Sequence, residues 1–126
     1  MATITSVPSV EACFMPLLLE LKDQQPLLES SLFPSVRANH FSTLPSIALI
    51  SMDRKGVPLI QRRMAWALFY LIAAGFIQHR SRHFIQLTAA GAQVIIAHSF
   101  TWKTLTETPA WTQKFGAGWL PPQAHH

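Results

Sequence analysis

Four side chains within five positions of the segment HRSRH, residues 79–83, could bind a phosphate or hold a metal ion. Arg80 and Arg82 are permanent cations, while His79 and His83 gain positive charge when an anion lies beside them. Two histidines four residues apart could bind zinc on one face of a helix. On a tight turn that spacing crosses the turn, and no cysteine or acid is placed to complete the ligand set. We therefore expect phosphate binding here, and neither a metal nor a cofactor.

A second basic cluster lies upstream, in the segment RKGVPLIQRR, residues 54–63. Six of the ten Lys and Arg residues lie between Arg54 and Arg82, against one acid, Asp53. Helix N-termini favour anions, so cations placed there indicate a negatively charged partner. Two such clusters suit the two phosphate strands that flank a groove of double-stranded DNA. The predicted contact residues are Arg54, Lys55, Gln61, Arg62, Arg63, His79, Arg80, Arg82 and His83, with Gln61 and Arg62 the candidates for reading base edges.

The composition restricts the class of protein. Hydrophobic residues make up 49% of the chain, charged residues 13%, and the formal net charge is +4, so the chain is neither disordered nor acidic. The single cysteine, Cys13, excludes an internal disulfide, and its apolar surroundings predict a buried, inert thiol. The longest uncharged apolar run, residues 64–77, is shorter than the ~20 residues that cross a bilayer. We expect no membrane span, no signal peptide and a cytoplasmic location.

The hydrophobic pattern predicts mainly helices. We expect helices over about residues 10–22 with Ser9 as N-cap, 34–41, 44–52 capped by Thr43, and 59–74 ended by Gly75. The period then changes to two, which predicts two short strands joined by a turn near residues 80–82. A helix capped by Thr88 ends near His98, and a shorter one over residues 109–115 is capped by Thr108.

This order of elements is the layout of a winged helix-turn-helix domain, mainly α with a small β-hairpin as the wing. A hairpin projects its tip side chains into solvent, so the cations of residues 79–83 can be carried there without burial. We assign residues 1–98 to this domain. Residues 99–126, rich in tryptophan and proline, form a tail that we expect to pack on the domain or on a partner.

The segment QRRMAWALFYLIAAGFIQHRSRHFIQLTAAG resembles the core of the N-terminal domain of Mrr-type restriction endonucleases. Arg63 matches the arginine of that motif, Trp66 its tryptophan, Ala74–Gly75 its helix exit, and Leu87–Thr88 with Gly91 its Leu-Thr-x-x-Gly entry to the next helix. With the first helix included, the likeness spans about residues 10–98. The resemblance implies a winged helix that targets DNA.

The sequence also departs from that family. Arg62 stands where the motif has asparagine, and Ala65 where it has glycine. Leu68, Phe69 and Ile72 occupy positions that the family fills with polar or charged residues. A helix that is apolar on all sides is buried on all sides, so either the tail or a second copy of the chain must cover this face. The predicted interface residues are Leu68, Phe69, Ile72, Trp102, Trp111, Phe115 and Trp119.

No constellation for catalysis is visible. The six acidic residues are spread along the chain, without the acidic metal ligands and lysine of the nuclease half of Mrr enzymes. We therefore expect a non-enzymatic DNA-binding protein, a regulator or accessory of a restriction, defence or mobile-element system. The rival hypothesis is a protein-interaction module, such as a nuclease inhibitor or adaptor, that keeps the winged helix as a scaffold. A small membrane-associated protein is a third possibility, and it would bind vesicles through the same cations.

Overall fold

The described part of the chain consists mainly of helices, with three short strands between them that form one antiparallel sheet. The computed structural model describes residues 7–125. The elements in chain order are α1 (Val10–Glu20), β1 (Leu27–Leu28), α2 (Glu29–His40), α3 (Ser46–Ile50), α4 (Leu59–Ala73), β2 (Ile77–Ser81), β3 (Phe84–Leu87), α5 (Ala89–Ala97), α6 (Trp102–Thr106), α7 (Pro109–Phe115) and a 3₁₀ turn (Pro122–His125). This architecture confirms the predicted mainly helical winged helix-turn-helix fold. The wing is the hairpin of residues 77–87, and α4 precedes it in the position of the recognition helix.

The wing belongs to a sheet of three strands, not two. The strand order is β1-β3-β2, with Leu27 opposite Ile85 and Leu28 opposite Phe84. A strand of two residues is too short to show a period of two, so no local pattern predicts β1. The backbone N–H of Glu29 then donates to the carbonyl of His83 at 2.8 Å. The start of α2 is therefore tied to the turn of the wing.

The bounds of α2 and α3 differ from the predicted ones. Helix α2 begins at Glu29, five residues before the expected start, and Pro34 lies inside it on an exposed position. The predicted start at Pro34 puts this residue in the first turn, where the N–H that proline lacks would have no helical partner. Helix α3 spans only Ser46–Ile50 and is preceded by Pro45 as N-cap, not by Thr43. Met52, the predicted last residue of this helix, instead pairs with Pro58 in an isolated antiparallel bridge.

Helices α1 and α4 form the centre of the core. The N-cap hydroxyl of Ser9 accepts the N–H of Ala12 at 3.1 Å, as predicted for α1. Cys13, Phe14, Leu17 and Leu18 of α1 are buried. They belong to the same cluster as the buried residues of α4, which are Ile60, Met64, Ala67, Leu68, Tyr70 and Leu71. Within residues 7–125, no helix is both long and apolar enough to cross a membrane.

A capped turn fixes the exit of the wing into α5. The hydroxyl of Thr88 accepts the N–H of Gly91 at 3.1 Å and donates to the carbonyl of Gly75 at 2.7 Å. A Cβ on Gly91 would lie 2.4 Å from the carbonyl oxygen of Phe76 and 2.4 Å from Cδ1 of Leu87. Only glycine fits at this position unless its neighbours shift. This close packing explains why the Leu-Thr-x-x-Gly pattern ends in glycine.

The segment after α5 packs on the same core. Trp102, Leu105 and Trp111 are buried in it. The ring of Tyr70, on α4, lies 5.5 Å from that of Trp102 and 5.6 Å from that of Trp111. The Tyr70 hydroxyl also donates to Oε1 of Gln123 at 2.9 Å. Helices α6 and α7 therefore cover one side of α4 within the chain itself.

Candidate nucleic-acid interface

The wing presents its cations to solvent. His79, Arg80, Arg82 and His83 are all exposed, while Ile77, Ile85 and Leu87 are buried and hold the strands on the body. The pairing register of the hairpin shifts between His79 and Ser81, near its tip. Nδ1 of His79 lies 3.7 Å from a carboxylate oxygen of Glu29, a long contact between two half-exposed side chains. Arg80 and Arg82 make no ion pair or side-chain hydrogen bond within residues 7–125.

A recess of about 560 Å³ lies between α2, the first turns of α4 and the turn of the wing. Its walls carry polar side chains from all three elements: Arg37 of α2, Gln61 of α4, and Arg82 and His83 of the wing. None of these four side chains forms a hydrogen bond within the described residues. The remaining lining residues are Leu28, Glu29, Ser30, Phe33, Pro34 and Met64. The structure thus brings together three of the predicted contact residues and adds a cation, Arg37, that sequence reasoning missed.

Arg62, a predicted base-reading residue, is engaged inside the chain. Its Nε and a terminal nitrogen lie 2.8 and 2.7 Å from one carboxylate oxygen of Asp53. The other oxygen of Asp53 accepts the backbone N–H groups of Lys55 and Val57 at 2.8 and 3.0 Å. Hydrogen bonds from Val57, then from Arg62 and Lys55, hold the pKa of Asp53 below its usual value. The carboxylate therefore ties the turn before α4 to the helix itself.

Arg63, the motif arginine, is also engaged inside the chain. One of its terminal nitrogens donates to the carbonyls of Val7 and Pro8, at 2.9 and 3.3 Å, and the side chain is half-buried. These bonds fix the segment before α1 against α4. Arg62 and Arg63 border a second cleft, of about 420 Å³, on the side of α4 next to Trp66 and Gln123. Neither arginine lines the recess beside the wing.

Arg54 and Lys55 lie on the turn that leads into α4, and both are exposed. Gly56 follows them with a φ of +79°, a left-handed conformation that glycine adopts without strain. The turn is closed by the Asp53 bonds, so the two cations stand on a defined loop. They make no ion pair with any acid of residues 7–125.

The carboxylates are dispersed over the surface, as the sequence indicated. Each has its own partner, at the following distances: Glu11 with the Trp102 backbone N–H (3.0 Å), Glu20 with Asn39 (2.9 Å), Asp23 with the Gln25 backbone N–H (3.1 Å), Glu29 with His79 (3.7 Å), Asp53 with Arg62 (2.7 Å) and Glu107 with Lys103 (4.0 Å). In residues 7–125, no group of three His, Cys, Asp or Glu side chains is close enough to hold a metal ion. Cys13 is buried, and burial raises the pKa of its thiol to about 12.

The structure corrects the prediction that the apolar face of α4 forms an interface. Leu68, Trp102 and Trp111, predicted as interface residues, are buried inside the chain and are therefore core residues. Ile72 and Phe115 are half-buried, which leaves Phe69 and Trp119 at 44% and 40% exposure. Trp66, which was not predicted for this face, joins them at 39%. The rings of Trp66, Phe69, Phe115 and Trp119 form a continuous row, which we call the aromatic surface.

A comparison with known families gives one match. The model of the family described as the Mrr N-terminal domain matches residues 11–97, from α1 to the end of α5. The matched range contains the recess, the wing and the motif residues Arg63, Trp66 and Gly91. Comparisons with curated proteins and with solved structures gave no significant match.

Proposed function

Because the chain belongs to the Mrr N-terminal domain family, we propose that it is a non-enzymatic protein that binds double-stranded DNA through the wing and the start of α4. The observation that carries the proposal is the recess beside the wing. Arg37, Gln61, Arg82 and His83 reach it from three separate elements and have no partner in the described chain. Cations that serve only solubility need not converge on one site, whereas grouped cations suit phosphate oxygens. Glu29, the acid that also lines the recess, lies 3.7 Å from Nδ1 of His79.

The contacts divide by chemistry. Arg37, Arg80 and Arg82 are suited to phosphate oxygens, because a guanidinium is a permanent cation with several donors. Arg54 and Lys55 extend the positive surface along the turn before α4. His79 and His83 are exposed beside these arginines, and their ring N–H groups can donate hydrogen bonds to phosphate oxygens. These contacts supply affinity and position, and they carry no information about base sequence.

Gln61 is the side chain best suited to reading a base edge. It lies exposed near the start of α4, and its amide can donate and accept at once, as recognition of adenine in the major groove requires. Arg62 would first have to leave Asp53, so we assign it to holding the turn in the free protein. Arg63 we assign to the fold, since its bonds to Val7 and Pro8 join the N-terminal segment to α4.

The proposed activity is binding alone. The six carboxylates stand apart, each engaged with its own partner, which does not suit the paired acids of metal-dependent hydrolysis. A binding module of this kind would act as a regulator or accessory of a restriction, defence or mobile-element system. This last step rests on family membership, because a fold does not fix a biological role. We place it in the cytoplasm, on the expectation that it shares a compartment with the DNA it binds.

The test is a salt series with a mixed-sequence duplex. We expect binding that weakens linearly with the logarithm of salt concentration, with a slope of about −0.9 for each phosphate contacted. The double variant Arg80→Glu/Arg82→Glu should lose most of the affinity and flatten the slope. The matched control is Lys22→Glu/Lys103→Glu, which changes the net charge equally at two exposed sites, one in the turn after α1 and one on α6. Equal losses in both variants, or no binding by folded protein at low salt, would refute the proposal and favour the rival protein-interaction role.

A further inference from the structure

The aromatic surface is unusual because three of its four side chains, Trp66, Phe69 and Trp119, are exposed although α6 and α7 already cover the neighbouring side of α4. Ring centroids are 6.1 Å apart for Trp66 and Phe69, 6.4 Å for Phe69 and Phe115, and 4.7 Å for Phe115 and Trp119. Phe115 and Trp119 are nearly parallel, with an interplanar angle of 24°. The row therefore joins α4 to the tail. It lies apart from the recess beside the wing, and no residue of the row lines that recess.

A cation stands at the middle of this row. Nζ of Lys114 lies 5.7 Å from the ring centroid of Phe69 and 6.0 Å from that of Phe115. Lys114 is exposed and makes no ion pair with an acid of residues 7–125. On the α4 side, Arg62 and Arg63 line the same cleft as Trp66, but Arg62 is paired with Asp53 and Arg63 is bonded to the carbonyls of Val7 and Pro8. The surface thus combines exposed aromatic side chains with one cation, Lys114, that has no acidic partner in residues 7–125.

The size of the surface argues against a second copy of the chain. An aromatic side chain offers about 150–250 Å² in all, so about 40% exposure leaves roughly 60–100 Å² for each of Trp66, Phe69 and Trp119. A stable interface needs about 800 Å² from each partner, about three times what these rings supply, so a second copy would have to contact many residues around them. The exposed area of the rings themselves matches a ligand the size of a few planar rings.

We propose that the aromatic surface binds single-stranded nucleic acid by stacking unpaired bases on its rings, with Lys114 contacting the backbone. Sequence-independent binding of single strands uses this combination of aromatic faces and cations. A cation in the row attracts phosphate groups, whereas it would repel a basic peptide. This activity is separate from duplex binding by the wing, and it does not depend on it.

The test uses a fluorescently labelled dT12 oligonucleotide, which forms no duplex of its own. We expect binding with quenching of tryptophan emission, weakened about tenfold in Trp66→Ala/Phe69→Ala, a variant that leaves every charge in place. The matched control is Ile96→Ala, an exposed apolar side chain on α5 outside the row. Circular dichroism establishes that each variant is folded. Should the double variant not fold, Lys114→Glu, at an exposed position, should weaken dT12 binding severalfold.

The two activities are separable by variants. Arg80→Glu/Arg82→Glu should lose most of the duplex affinity and leave dT12 binding within about threefold. Trp66→Ala/Phe69→Ala should weaken dT12 binding about tenfold and leave duplex binding within about threefold. The proposal is overturned if dT12 does not bind, or if it binds equally well to the aromatic variant and to Ile96→Ala. It is also overturned if sedimentation shows a dimer that Trp66→Ala/Phe69→Ala dissociates, because a second copy would then occupy the surface.

Discussion

Replacing Trp111 by alanine tests whether the segment after α5 belongs to the core. The indole is fully buried, with ring centroids 5.6 Å from Tyr70 and 4.6 Å from Phe115. Its Nε1 donates to the carbonyl oxygen of Trp119 at 2.9 Å. A buried tryptophan replaced by alanine costs about 3–5 kcal/mol, from lost burial and the cavity that remains. We expect a loss of free energy of unfolding in this range for Trp111→Ala.

Such a loss is large against a total stability of about 5–15 kcal/mol for a domain. Urea unfolding followed by far-ultraviolet circular dichroism measures it, because this signal does not depend on the tryptophan that is removed. Trp119→Ala is the matched control. Its ring is 40% exposed and the backbone carbonyl that accepts the Trp111 bond is retained, so we expect less than half the loss.

Two results would refute this reasoning. One is a loss below about 1 kcal/mol for Trp111→Ala, which would mean that the ring is not buried as described. The other is a fragment of residues 1–98 that unfolds at the same urea concentration as the whole chain. In either case the tail would not stabilise the domain, and the aromatic surface would not be a fixed structure.

Three further predictions follow from single sites. Gly91→Ala should lower the melting temperature by several degrees, because the added Cβ would lie 2.4 Å from the Phe76 carbonyl oxygen. The control Ala90→Ser, at the exposed neighbouring position, should leave the melting temperature nearly unchanged. The lowered pKa of Asp53 means that its ionised form stabilises the fold at neutral pH, so Asp53→Asn should be less stable than the unmodified protein at pH 7. This difference in the free energy of unfolding should shrink as the pH falls below about 3.9, the ordinary pKa of an aspartate, and through the lowered pKa. A difference unchanged at low pH would contradict this assignment. Cys13, with its pKa raised to about 12, should not react with a thiol reagent in the native protein and should react after unfolding in urea; rapid native reaction would show that it is not buried.

Local signals predicted much of the fold. Ser9, Thr88 and Thr108 cap their helices through the expected side-chain bonds, and Gly75 adopts the predicted left-handed conformation with a φ of +88°. These features depend on neighbours within a few residues, so the sequence displays them directly. Helix α6 was missed because its capping box uses Thr104 in place of the usual glutamate or glutamine.

The site was harder to predict because it depends on long-range contacts. Arg37 joins the recess only because α2 starts at Glu29 and is tied to the wing, through contacts more than fifty residues apart in the chain. The pairing of Arg63 with Val7 and Pro8 spans a similar separation, so its engagement inside the fold gives no local signal. Asp53 is the exception: it lies nine residues before Arg62, and as the one acid of the basic segment it could have been recognised as the arginine's partner.

The most direct test of the central claim is the duplex affinity of Arg37→Glu beside the control Lys22→Glu. Both residues are exposed cations outside the wing, and only Arg37 lines the recess. If DNA occupies the recess, Arg37→Glu should bind at least tenfold more weakly and reduce the magnitude of the salt slope by about 0.9, the value of one phosphate contact. If the two variants bind the duplex equally well, DNA does not enter the recess, and the proposed interface is contradicted.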